Sequence, residues 1–265
     1  MKLINRIILH LIGLIRLSKF DFSDDTARID SHKDIVRSKP VLKSLFDGMN
    51  QFIEENVEKY AKSKQLRILE IGSGVHPFST SLGSVLTSDL VFNADLDLIV
   101  DAQHLCIKED SVDLVLGQFV FHHFPDPIQA LSELDRVLTK GGLITFIEPA
   151  NTFLGKLLFP IMHKSEYFDP NASWSNSSRG SMENANQALS YIYFNRDFEL
   201  FKDKFPQFEI LEKSLLIPFG LRYISSGGLN FKQLLPTFLF NNLLKQLDNL
   251  FKFFAVHWLI ILKKK

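Results

Sequence analysis

The chain reads as an α/β protein built on a doubly wound, mostly parallel sheet, and three observations carry that expectation. Residues 68–74, ILEIGSG, form an apolar run that stops in a Gly-x-Gly turn, as a buried strand does at the ligand-binding edge of such a sheet. Short apolar runs recur at residues 85–89, 98–100, 111–118 and 143–147, separated by helical or loop segments. The stretch opening at Asp126-Pro127 has helical spacing, with Leu131, Leu134, Val137 and Leu138 inward and Glu133 and Arg136 outward.

Each element follows from its residues. Residues 3–17, LINRIILHLIGLIRL, have a wide apolar face interrupted by Asn5, Arg6, His10 and Arg16. They are too short and too charged for a membrane span, and no small-residue cleavage site follows them. They read either as a helix packed on the protein's own core or as a basic amphipathic helix lying on a membrane. Residues 21–39 are polar and read as a connecting loop with at most a short helix. Pro40 then opens an amphipathic helix whose apolar positions run from Leu42 to Tyr60. Asp126 is its N-cap and Pro127 its first residue in the later helix, which Gly141-Gly142 ends.

Composition narrows the function classes. Lysine plus arginine equals aspartate plus glutamate at 30 each, so nothing global favours nucleic acid. A single cysteine, Cys106, excludes an internal disulfide framework and fits a reducing, cytoplasmic setting; it reads as a small buried apolar residue. The 25 phenylalanines could fill a core, a greasy pocket or a membrane-facing surface.

The glycine turn decides between cofactors. A dinucleotide fingerprint wants a third glycine where Pro77 stands, so a nicotinamide dehydrogenase fits poorly. Glu70, two residues before Gly72, instead gives E-x-G-x-G, which resembles motif I of the class I S-adenosylmethionine-dependent methyltransferases. DAQHLCIKEDSVDLV (residues 101–115), the HH of FVFHHFPDP and ELDRVLTKGGLITFIEP (residues 133–149) resemble later motifs of the type 11 family, over roughly residues 66–150. The resemblance implies a Rossmann-like methyltransferase sheet of seven strands, the last antiparallel, at residues 66–265. The sixth and seventh strands are expected near residues 208–211 and 254–262. A helical extension, residues 1–65, precedes it, and insertions at 151–195 (a lid) and 217–252 decorate it.

The resemblance also implies S-adenosylmethionine as cofactor, with Glu70, Gly72, Ser73, Gly74, Asp89, Asp101, Ala102, Gln118 and Phe119 binding it. A carboxylate offers acceptors only, which suits the two hydroxyl donors of a ribose. Asp89 lies nineteen positions after Glu70 and is preferred for that part, with Asp95 and Asp97 as competitors. Asp101 would meet the adenine amino group. If the methyl acceptor must lose a proton, His123 is the first candidate base, with His163 and Glu166 of the lid behind it and Glu148 lower. His123 is as well explained as a residue flanking the cofactor, and His122 as a packing residue. No metal is expected, because adjacent histidines on a strand point apart and no H-x-x-x-H accompanies them. The expected activity is methyl transfer to a small or lipid-linked acceptor, with peripheral contact at the inner membrane face through residues 3–17 in the second reading of that segment. A protein that binds the cofactor without catalysis is the alternative.

Overall fold

Alternate side chains of a strand leave opposite faces, so a sheet buried on both sides needs apolar residues at nearly every position. The computed structural model, which describes residues 24–61, 63, 65–163, 165–174, 184–239, 243–250 and 254–265, meets that need in the central strands of its sheet. Its strands are β1 (Leu66–Ile71), β2 (Gly83–Asp89), β3 (Leu98–Ile99), β4 (Val112–Gln118), β5 (Leu138–Pro149), β6 (Phe208–Leu215) and β7 (His257–Lys264). They form one seven-stranded sheet in the order β3-β2-β1-β4-β5-β7-β6. The first five pair in parallel, and β7 inserts antiparallel between β5 and β6, as expected. Strand order reverses between β1 and β4, which places a crevice at their carboxyl ends.

One face carries Ile68, Leu114, Leu116, Ile147, Leu259 and Ile261, and the other Leu69, Ile71, Val115, Ile144, Phe146 and Ile260. The first face is covered by α2 (Pro40–Val57), through Leu42, Leu45, Met49, Ile53 and Val57. The second is covered by α3 (Pro127–Val137), whose N-cap Asp126 accepts from the backbone of Ile128 and Gln129. Phe121, Phe146, Phe194 and Phe201 are fully buried on this face with Tyr193. No helix follows the glycine turn; residues 72–82 return to β2 as loop, and α2 covers the face a crossover helix would otherwise cover.

Several local expectations need correction. The polar residues 21–39 contain a full helix, α1 (Asp25–Ser38), capped by Asp24 accepting from Thr26 N. Its inward face carries Arg28, His32 and Lys33 beside Ile29 and Val36, so the helix has no apolar stripe for periodicity to detect. Cys106 is exposed, and Leu105 beside it fills the core instead. Helix α3 stops at Val137, before the glycines, because β5 already begins at Leu138. Glu133 and Arg136 do not simply face solvent: Glu133 accepts from Leu105 N, and Arg136 donates to the carbonyls of Leu105 and Ile107, pinning the segment after β3.

The segment expected to form a lid, residues 151–195, begins with α4 (Phe153–Met162) and returns through a bridge between Tyr167 and Asn186. The chain then passes through α5 (Leu189–Tyr191), a π turn at Ile192–Arg196 and α6 (Phe198–Lys204). The second insertion holds α7 (Gly220–Ser226) and α8 (Lys245–Leu250). It is tied to α1 and α2 by Lys39, whose ammonium donates to the carbonyls of Ser226, Gly228 and Phe231. Among the described residues no helix is long and apolar enough to cross a membrane, and residues 3–17 lie outside them.

Gly83 tests the sheet. A Cβ built there would stand 1.9 Å from the Leu66 carbonyl oxygen, inside the β1–β2 ladder, where backbone cannot yield. Gly83→Ala is expected to lower the urea midpoint by the equivalent of about 1–3 kcal/mol or more, with the m-value unchanged. An unchanged midpoint would contradict the tight β1–β2 register.

Candidate active site

The carboxyl ends of β1, β2, β4 and β5 open into a cavity of about 230 Å³ roofed by α1, α2, the lid and the second insertion. All nine residues expected to bind the cofactor line it, and so do His123, His163 and Glu166. Six of the chain's eight histidines are in its wall, so imidazole groups are concentrated here.

The glycine turn is shaped by close approach. Gly72 has φ 70°, and a Cβ on it would meet Val120 Cγ2 at 2.7 Å. A Cβ on Gly74 would stand 2.9 Å from Asp89 Oδ2, the oxygen that accepts from Gly74 N at 3.0 Å. Glu70 faces inward under the turn, accepting from Phe78 N at 3.0 and 3.1 Å and from Ser73 Oγ at 2.7 Å. Burial pushes its carboxyl up to about 7, against the pull of those donors. Asp89 is likewise pushed up by burial, opposed by the N–H groups of Val91, Gly74 and Leu90. Its two competitors are occupied elsewhere: Asp95 pairs with Lys33 at 2.6 Å, and Asp97 accepts from Thr87 N at 2.9 Å. Asp101 caps the turn after β3, accepting from Gln103 N at 2.9 Å, beside Ala102. At the end of β4, Gln118 donates to Asn50 Oδ1 at 2.6 Å, and its own Oε1 is buried with no hydrogen-bond partner. Phe119 follows with φ 56°, a left-handed turn that ends the strand.

That turn runs on into a 3₁₀ segment, Phe121–His123, held by one buried group. Glu148, at the end of β5, accepts from Val120 N at 2.9 Å, Phe121 N at 2.8 Å and His122 Nδ1 at 2.6 Å. Its expected place as a spare base is therefore corrected: all its contacts position the turn. The premise that His122 and His123 point apart also fails, because a 3₁₀ turn is not a strand. Their rings lie side by side, 4.3 Å between centroids.

Both rings face the lid. Glu166 Oε2 is 3.7 Å from His122 Nε2 and 3.9 Å from His163 Nδ1, and Oε1 is 3.9 Å from His123 Nε2. Gln187 donates to Glu166 Oε2 at 2.5 Å, and Asn186 accepts from Asp169 N and donates to its carbonyl, joining two parts of the same segment. Burial raises the Glu166 carboxyl, but the histidines His163, His123 and His122 outweigh it and hold the group below the usual range. Burial lowers His163 more than Glu166 raises it, leaving it a neutral imidazole near neutrality. For His122 burial pulls down, yet Glu148 and Glu166 together hold it above the ordinary value.

Sequence reasoning did not find Arg28, His32, Tyr223 or His257, which line the same end. Arg28 donates to Ser165 Oγ at 3.0 Å, joining α1 to the lid. His32 is pushed down to about 4 by burial and then by the Arg28 charge, and His257 to about 3 by burial and its histidine neighbours. The one available signal was the i, i+4 spacing of Arg28 and His32 behind the Asp24 cap.

Glu70 gives a test by pH. Its folded pKa is raised above the unfolded value, so its stabilising contribution is full below pH 4.5 and is lost as pH rises through about 7. At ~1.36 kcal/mol per unit, wild type should lose up to about 3 kcal/mol from this group between pH 5 and 8, and Glu70→Gln should lack that loss. A wild-type-minus-variant difference that stays constant with pH would contradict the assignment.

Residues 69–146 match the family described as methyltransferase domain. Curated proteins yield no match. Among solved structures, the chain is similar to an S-adenosylmethionine-dependent methyltransferase of Thermotoga maritima (16% identity, 82% of this chain and 97% of that one, TM-score 0.46). It is also similar to one from Methanosarcina mazei (16%, 79% and 96%, 0.43). A third, from Mesorhizobium loti, aligns at 14% identity over 76% of this chain and 91% of that one, with TM-score 0.40. The matched segment runs from β1 to β5 and holds the glycine turn, Asp89 and the turn after β4, so over that part the chain is similar to a methyltransferase domain.

Proposed function

We propose that the enzyme methylates a small or lipid-linked acceptor through a group that must lose a proton, most simply a hydroxyl. The observation that carries this is the division of one cavity into two ends. The glycine-turn end offers backbone and carboxylate groups, and the other offers five histidines, Glu166 and Tyr223.

The cofactor fits the first end. Gln118 Oε1 is a buried acceptor with no partner, suited to the ammonium of a methionine moiety, and the floor at Gly72 has room for no side chain. Glu70, Gly72, Ser73 and Gly74 shape that floor, with Phe119 beside it; Asp89 would hold the ribose hydroxyls, and Asp101 and Ala102 the adenine. S-adenosylmethionine supplies a methyl group on a sulfonium whose leaving group departs neutral. The chain's own work is then to align the acceptor, exclude water and take up its proton. His123 and His163 each present a ring nitrogen 3.9 Å from the same carboxylate, so an imidazolium formed on either is stabilised by Glu166.

The lipid-linked option is supported by α4, where Phe159 lines the cavity while Phe153 (82% exposed) and Leu157 (55%) face outward. The basic apolar sequence of residues 3–17 supports the same option, with the acceptor met at the cytoplasmic face of a membrane. Zero net charge gives no support to a nucleic-acid acceptor.

Calorimetric titration with S-adenosylmethionine and S-adenosylhomocysteine tests the cofactor end. Asp89→Asn, which loses a charged acceptor, should weaken both by about 10–100-fold while remaining folded. Folded wild-type protein that binds neither would overturn the reading. Transfer of label from methyl-labelled cofactor into the organic-extractable fraction of a cell extract tests the acceptor end. His163→Ala should lower the transfer rate by about 10²–10⁴-fold with cofactor affinity unchanged. An unchanged rate would remove His163 from the chemistry.

A further inference from the structure

The Glu166 cluster has a geometry that proton transfer alone does not explain. Its separations of 3.7, 3.9 and 3.9 Å to His122, His163 and His123 exceed hydrogen-bond length, yet these ring nitrogens from two segments aim at one carboxylate. Groups sharing one ion stand at such a distance: bonds of ~2.1 Å in a tetrahedral site put ligand atoms ~3.4 Å apart. His122, His123 and Glu166 can each place one ligand atom within 4.8 Å of the other two.

We propose that His122 Nε2, His123 Nε2 and Glu166 bind a divalent transition cation of the zinc class, with its open position facing the acceptor end of the cavity. Two imidazoles with one carboxylate suit zinc and its borderline neighbours; magnesium and calcium take oxygen ligands. The supporting groups are those a metal site requires. His122 donates its other ring N–H to buried Glu148 at 2.6 Å, which orients the ring and turns Nε2 to the Glu166 side. Gln187 orients Glu166 from behind. His123 is side by side with His122 because the 3₁₀ turn, held by the same Glu148, brings both rings to one side.

This deepens the methyl-acceptor reading and rests on it only for what the ion does, not for its binding. With His123 a ligand, His163 is left as the proton acceptor. Its Nδ1 faces the cluster and its Nε2 lies 3.5 Å from the Tyr223 hydroxyl, which can receive the Nε2 hydrogen. An acceptor hydroxyl on the open position ionises more readily. Its O–H bond breaks, the electron pair stays on oxygen, and the proton forms an N–H bond at His163 Nδ1. The ion thus selects acceptors whose oxygen can enter its coordination sphere.

The test uses full-length protein stripped with chelator, then titrated with zinc chloride and with cobalt chloride, and in parallel with S-adenosylmethionine. One cobalt per chain is expected, with the visible absorption of a four- or five-coordinate nitrogen and oxygen site, displaced by one zinc. His123→Leu and Glu166→Gln should abolish that uptake, a larger effect than the about 10–100-fold loss expected for Gln187→Leu, which acts through Glu166. Gln187→Leu keeps the test decisive if the ligand variants fail to fold. Asp89→Asn should still take up one ion while losing cofactor affinity. Folded protein that binds cofactor but takes up no stoichiometric ion would overturn the metal site and leave the methyltransferase reading standing. Uptake unchanged in all three cluster variants would also overturn it. Ion uptake without cofactor binding would uphold the site and sink the acceptor reading instead.

Discussion

Burying a carboxylate is tolerable only when its oxygens are fully engaged, and Glu148 meets that condition with two backbone N–H groups and one imidazole. Its partners are all on the turn that follows β4, so this single group fixes where that turn goes. Phe119 in the left-handed region ends the strand, and Gly117, where a Cβ would meet Val120 at 2.6 Å, lets the turn fold back on the sheet. Fixing the turn fixes two things together. Val120 sets the closeness of the glycine turn, and His122 and His123 are aimed at the lid.

The two ends of the cavity are therefore not independent. The cofactor end is backbone of β1 and β2, shaped by glycines and by Glu70, and carries little freedom. The far end is assembled from four segments distant in sequence: α1, the turn after β4, the lid and the second insertion. Such a site needs ties, and the ties are polar: Arg28 to Ser165, Gln187 to Glu166, and Lys39 to three carbonyls of the second insertion. Burial pushes Lys39 down to about 8, a sign of how much solvation it gives up to hold the roof.

How much was legible in the sequence follows the range of the interactions. The sheet, its order and the cofactor-end residues depend on local runs such as ILEIGSG and on motif spacing, and these are readable one segment at a time. Asp89 stood out over Asp95 and Asp97 only by position; in the structure it lines the cavity, while the other two are engaged by Lys33 and Thr87. Helix α1 was missed because its buried face carries Arg28 and His32, which line the cavity, and Lys33, none of which a hydrophobic periodicity can reveal. The histidine pair was misjudged because strand alternation was assumed where a carboxylate twenty-six residues away imposes a 3₁₀ turn. Cys106 faces solvent because Leu105 next to it takes the core position. For the helix and the histidine pair the deciding group lies outside the apolar pattern or far along the chain; for Cys106 it is the adjacent residue, which apolar patterning alone does not tell apart from it.

The central claim is that one continuous cavity holds the cofactor at its glycine end and turns the reactive centre towards the histidine cluster. A crystal structure of the protein with S-adenosylhomocysteine tests it most directly. The account predicts the amino-acid end against Gly72 and Gln118, the ribose on Asp89, and the thioether sulfur facing His122, His123 and Glu166. A ligand seated elsewhere, or one whose sulfur faces away from that cluster, would contradict it.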